Sequence, residues 1–139
     1  MKGASIMLSG LALAISVAAG GATASRWDKV PAKDHVRPNP LIGNPEAAEV
    51  GAAIYKDHCA QCHGADAMGD GKKKPALKSD EIKNATDGDL EWFLRQGDLR
   101  GGMPSWSSLP QAQRWQLVAY LRSLQPVGWK IGSAGPGVA

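Results

Sequence analysis

Apolar residues in the middle of the chain recur at three- and four-residue intervals, and alternating runs of strand type are almost absent. The first periodic stretch opens with Asn44 and Pro45, a cap and first-turn pair, and places Ala48, Ala52 and Tyr55 on one face. It runs into the cysteines at 59 and 62. The second opens at Thr86 with Asp89 in capping-box spacing; Leu90, Phe93 and Leu94 follow at helical intervals, and Gly97 stops it. The third runs from about Pro110 to Leu124. It has Trp115, Val118 and Ala119 on one side and Leu117, Leu121 and Leu124 on the next, which predicts packing on two neighbours. Between these lie loops at 64–85 and 98–108, long enough in so small a domain to be functional or wrapped around something. The pattern predicts a small all-α fold of three to four helices.

The flanks have another character. The start, "MKGASIMLSGLALAISVAAGGATAS", has one lysine, an apolar run from Ile6 to about Ala19 and an A-x-A site at Ala22–Ala24. This predicts a signal peptide over 1–24, cut before Ser25, and a periplasmic product. The apolar run is short of the roughly 20 residues that span a bilayer, so no stable membrane span is expected in the mature form; a retained anchor is the alternative. Residues 25–43, "SRWDKVPAKDHVRPNPLIG", carry prolines at 31, 38 and 40 and no sustained period, and are expected as an extended N-terminal arm. Residues 126–139 begin at a helix-stopping proline and end in Gly, Ala and Pro, the composition of a flexible C-terminal tail. The folded domain is thereby bounded at 44–125.

Charge excludes one class of partner. The chain has 16 Lys and Arg against 13 Asp and Glu, a net +3 that is dispersed apart from Lys72–Lys74. That excess does not argue for nucleic acid. A core built from so few residues is marginal alone, and something else is expected to fill it.

The chemistry is concentrated in "HCAQCHGADAMGDG", His58 to Gly71, which holds both cysteines. A zinc site needs about four ligands, and successive ligands on one short turn make a poor tetrahedron. A redox dithiol belongs in a strand-to-helix setting that the helical pattern denies. A disulfide across two residues would restrain little of the unfolded chain. The remaining reading is C-x-x-C-H as covalent attachment of c-type haem. Cys59 and Cys62 would add to the haem vinyl groups as thioethers, bringing His63 under the iron. The haem would also supply the apolar bulk that the sequence lacks.

Four stretches, "GAAIYKDHCAQCHGADAMGDG", "ATDGDLEWFLRQG", "GGMPSW" and "RWQLVAYLRSL", resemble class I monohaem cytochromes c in content and order. The chain is similar, more narrowly, to the small cytochrome domains associated with quinoprotein dehydrogenases and haem-copper oxidases. The resemblance implies a small cytochrome c fold, its long loops wrapped around one covalently attached haem c. It also implies an electron carrier rather than an enzyme, with redox proteins as partners: a quinoprotein dehydrogenase as donor and an oxidase as acceptor.

The resemblance further implies that His63 and Met103 ligate the iron and that the carbonyl of Pro75 accepts the Nδ1 hydrogen of His63. Met103 sits in a Gly-Gly-Met-Pro turn forty residues after His63, far enough to reach the opposite haem face; Met68, five residues after it, is not. Gly51 and Tyr120 match the close crossing of first and last helices in that family. Trp92, Trp106 and Trp115 are core or haem-lining candidates, Lys72–Lys74 either steer a partner or form a solvated face, and His35 and His58 read as surface groups. Two other readings remain: a haem enzyme or gas-ligand sensor with a labile sixth position, and a cytochrome subunit bound tightly to a dehydrogenase through the segment from Trp27 to Pro40.

Overall fold

The computed structural model describes residues 25–125. The expected signal peptide and the C-terminal tail lie outside the described residues. Within them the chain forms a short 3-10 turn, Arg26–Lys29, and six helices: α1 Ala32–His35, α2 Pro45–His58, α3 Ala60–His63, α4 Asp80–Asn84, α5 Asp87–Gln96 and α6 Gln111–Ser123. The all-α expectation is met, with α2, α5 and α6 as the long elements.

Local chemistry explains their ends. The side chain of Asn44 accepts the amide of Ala47 at 3.1 Å to start α2. At α5, Thr86 Oγ1 accepts the amide of Asp89 at 3.1 Å and Asp89 Oδ2 accepts that of Thr86 at 2.8 Å, a complete capping box. Gly97, at φ +71°, ends this helix, its amide bonded back to Phe93.

α2 and α6 cross at Gly51. A β-carbon there would stand 2.0 Å from the carbonyl oxygen of Gln116 and 2.9 Å from Cβ of Tyr120, so only glycine admits this approach. The rings of Tyr55 and Tyr120 meet beside it, with centroids 5.2 Å apart. The core gathers Leu117 and Val118 of α6 with Leu90 and Leu94 of α5, Tyr55 of α2 and Ile82 of α4.

Two segments differ from expectation. The 64–85 loop contains α4, opened by Ser79 and anchored by buried Ile82. Arg122 of α6 fans out over its end: Nη1 donates to the carbonyls of Ile82 at 3.0 Å and Lys83 at 3.3 Å, Nη2 to that of Ala85 at 2.5 Å, and Nε meets Asp87 Oδ1 at 2.7 Å.

Residues 25–43, expected as an extended arm, instead carry the 3-10 turn and α1 and lie packed on the domain. Asp34 keeps 6% of its surface exposed and Asn39 2%. Asn39 Nδ2 donates to the carbonyl of Trp115 at 3.0 Å, and Asp34 meets Arg95 at 3.0 Å and Arg37 at 3.3 Å. Fully buried Glu91 meets Arg114 at 2.8 Å, Arg37 at 3.3 Å and Arg95 at 3.6 Å. The segment is therefore held by charge-assisted bonds, which no apolar period betrays. His35, read as a surface group, places Nδ1 2.8 Å from Asp89 Oδ1.

Candidate cofactor site

The end of α2 delivers the cysteines. The amide of Cys59 closes the helix on the carbonyl of Tyr55 at 2.8 Å, and α3 adds one turn in which the amides of Cys62 and His63 donate to the carbonyl of Cys59 at 3.1 and 2.9 Å. Cys59, Cys62 and His63 therefore project from one short turn. Gly64, at φ +80°, ends it, and Tyr55 Oη donates to the carbonyl of Gly64 at 2.7 Å. Burial, followed by the neighbouring Cys59, pushes the Tyr55 hydroxyl up to about 12. Burial likewise raises the Cys59 thiol to about 11, with Cys62 adding to it. Cys62 is exposed, and neither cysteine forms a disulfide.

The ring of His63 is oriented from the following loop: Nδ1 lies 3.0 Å from the carbonyl oxygen of Pro75. A carbonyl only accepts, so Nδ1 carries a proton, and in the neutral ring this leaves Nε2 as the nitrogen that could ligate a metal. The loop that carries Pro75 closes on itself. Asp70 Oδ1 accepts the amides of Lys72, Lys73 and Lys74 at 2.9, 2.9 and 2.8 Å. These amides, that of Lys74 foremost, hold the Asp70 carboxyl below its usual range. Gly69 lies so near the carbonyl of Lys74 that a β-carbon would stand 2.1 Å from its oxygen.

Met103 arrives on a second closed loop. Asp98 and Met103 exchange both backbone hydrogen bonds at 2.8 Å, and Gly102 turns the chain at φ +78°. The amide of Trp106 donates to the carbonyl of Leu94 at 2.9 Å and Ser105 Oγ to that of Arg95 at 2.7 Å, which pins this loop to the end of α5.

Both loops border a cavity of about 480 Å³. Its lining includes Cys59, Cys62, His63, Pro75 and Met103, with apolar walls from Leu90, Leu94, Leu117 and Leu121. The cavity thus brings the five candidate residues together. Met68 is 51% exposed and lies outside the lining. Of the tryptophan candidates Trp106 lines the cavity, Trp115 is in the core, and Trp92 belongs to neither group. Lys72–Lys74 border the cavity as well. Trp27, Phe93 and Arg26 also line it; the sequence places Phe93 only in a helical apolar period and gives the Trp27 segment no pattern tying it to a cofactor site.

Two thiols, an imidazole with a free Nε2, a thioether and an apolar chamber in the usual ligand-pocket range of about 300–1,000 Å³ fit a covalently held haem. Among the described residues no group of three or more His, Cys, Asp or Glu is placed to hold a metal ion.

This fold and site define a c-type cytochrome. Residues 46–121 match the family model described as cytochrome c oxidase, cbb3-type, subunit III, and the chain belongs to this cytochrome c family. It is 34% identical to cytochrome c550 of Pseudomonas aeruginosa over 56% of each chain. Among solved structures it resembles cytochrome cL of the marine methylotrophic bacterium Methylophaga aminisulfidivorans MPT, with 30% identity and a TM-score of 0.53 over 62% of this chain and 58% of that one. The matches span a little over half the length of these relatives. Membership implies covalently bound haem c.

Proposed function

We propose that this protein is a periplasmic one-electron carrier that receives an electron from a dehydrogenase, a quinoprotein in the first instance, and passes it to an acceptor such as a terminal oxidase. The observation that carries the proposal is the convergence of Cys59, Cys62, His63 and Met103 on one apolar cavity. Bound haem c supplies a ferric/ferrous couple. Cys59 and Cys62 would tether it, His63 Nε2 and the Met103 thioether would ligate the iron, and the Pro75 carbonyl would fix the His63 ring. Methionine ligation raises the potential, which suits a carrier feeding an oxidase.

The A-x-A leader supports export. No helix among the described residues is long and apolar enough to cross a membrane.

Spectroscopy tests the ligation. The near-infrared sulfur-to-ferric-iron band is present in the haem-loaded protein and vanishes in Met103→Ala, which gains carbon monoxide binding. A parent that lacks the band and binds carbon monoxide readily has an open sixth position and belongs to the sensor or enzyme reading.

A further inference from the structure

Residues 25–43 precede the 46–121 stretch that matches the family, yet they supply part of the cavity wall. Trp27 lines the cavity, its ring edge-on to Phe93 with centroids 5.6 Å apart, and Phe93 is itself a lining residue. Arg26, also on the wall, sets its guanidinium 5.9 Å from the Phe93 ring centre and pairs with Glu81 of α4 at 2.5 Å.

Behind this contact the segment is latched to α5 and α6. Thr86 Oγ1 donates to the carbonyl of His35 at 2.7 Å, and Arg95 holds buried Asp34 at 3.0 Å. A β-carbon on Gly88 would stand 1.8 Å from the carbonyl oxygen of Asp34, so the strap lies directly on the α5 backbone. Asn39 adds its bond to Trp115 on α6. Asp34 and Asn39 are buried, where an unpaired charge or polar group is costly, so detaching the strap is unfavourable.

We propose that the segment from Trp27 to Asn39 is a strap that completes the haem chamber, with Trp27 the residue that keeps water from the haem on that side and thereby raises its potential. The inference rests on the haem reading above. The physical cause is desolvation: the ferric state carries one more positive charge than the ferrous, and a drier surrounding disfavours it. Opening the wall admits water and stabilises the ferric form.

Redox titration of the haem-loaded full chain tests the strap, with covalent haem scored separately on a denaturing gel. Trp27→Ala shifts the ferric/ferrous ratio at fixed potential by about tenfold toward ferric, equivalent to about 59 mV for one electron, and Trp27→Phe restores most of the shift. If Trp27→Ala loads no haem, the reading passes to Asp34→Asn, which loosens the latch away from the cavity and moves the potential the same way. A haem-loaded Trp27→Ala at the parental potential overturns the strap, as does an unshifted Asp34→Asn where that variant is the one read. A parent chain without covalent haem overturns the haem reading instead.

Discussion

His63 Nδ1 and the carbonyl oxygen of Pro75 stand 3.0 Å apart across a loop that is closed by its own hydrogen bonds. With His63 as the proposed iron ligand, the bond would raise the electron-donating power of the ring and so favour ferric iron. Replacing Pro75 with alanine keeps the carbonyl but frees its turn, which weakens the bond. The midpoint potential is expected to rise by up to about 59 mV, one decade in the ferric/ferrous ratio. A fall in the titrated potential would contradict this role.

Tyr55 couples stability to alkaline pH. Its hydroxyl ionises near 10 in the unfolded chain and at about 12 in the fold, so the folded state holds the proton more tightly. The contribution is complete below about 10 and is lost as pH rises toward about 12. Tyr55→Phe should cost about 1 kcal/mol at neutral pH through the lost bond to Gly64. It should also flatten the decline in melting temperature across that alkaline window, and a decline as steep as the parent's would count against the assignment.

The helix crossing has no room for a methyl group at Gly51. Gly51→Ala gains roughly 1 kcal/mol of helix propensity but must push α2 from α6, an overpacking cost of about 1–3 kcal/mol or more. Denaturant unfolding should show a net loss of stability. A gain would mean that the two helices separate easily.

Lys72–Lys74 make the cavity border cationic. Stopped-flow oxidation of the ferrous protein by ferricyanide should slow with added salt, whereas oxidation by a cationic ruthenium ammine should quicken. Changing all three lysines to glutamate should lower the ferricyanide rate at low salt by about tenfold or more and reverse the salt trend. Rates insensitive to salt and to the exchange would make the lysines a solvated face only.

Glu91 is fully buried among Arg37, Arg95 and Arg114. Truncation to alanine leaves buried Arg114 without its carboxylate, while the half-exposed Arg37 and Arg95 keep Asp34, and should cost about 3–5 kcal/mol in a denaturant melt. A loss below 1 kcal/mol would show that solvent replaces the carboxylate.

The three long helices were legible because caps and apolar periods are local signals: Asn44, Thr86 with Asp89, and the two-sided stripe of α6 each lie within a few turns of chain. The attachment motif was legible for the same reason, since Cys59, Cys62 and His63 are neighbours in sequence and on one turn. The strap was not, because its bonds join residues far apart, Asp34 to Arg95 across sixty-one positions, through polar groups that look like ordinary surface charge. Helix α4 was missed because five residues with one buried side chain, Ile82, display no period. Trp27 went unnoticed as a cavity residue because nothing near it in sequence points to the chamber it lines.

The guanidinium of Arg122 gathers the carbonyls at the end of α4, while α6 also gives Gln116 to the Gly51 crossing, Trp115 to Asn39, and Leu117 and Leu121 to the cavity. Helices α2, α4 and α5 and the segment around Asn39 all close on this one helix. Such long-range closure makes assembly wait on a late partner. During synthesis the attachment motif at 59–63 emerges well before residues 111–123, so the chamber that is to enclose the haem forms only when α6 arrives. Haem delivery and chain folding are then linked in time, and whatever joins the haem to Cys59 and Cys62 meets either an open chain or a finished one, depending on when α6 docks.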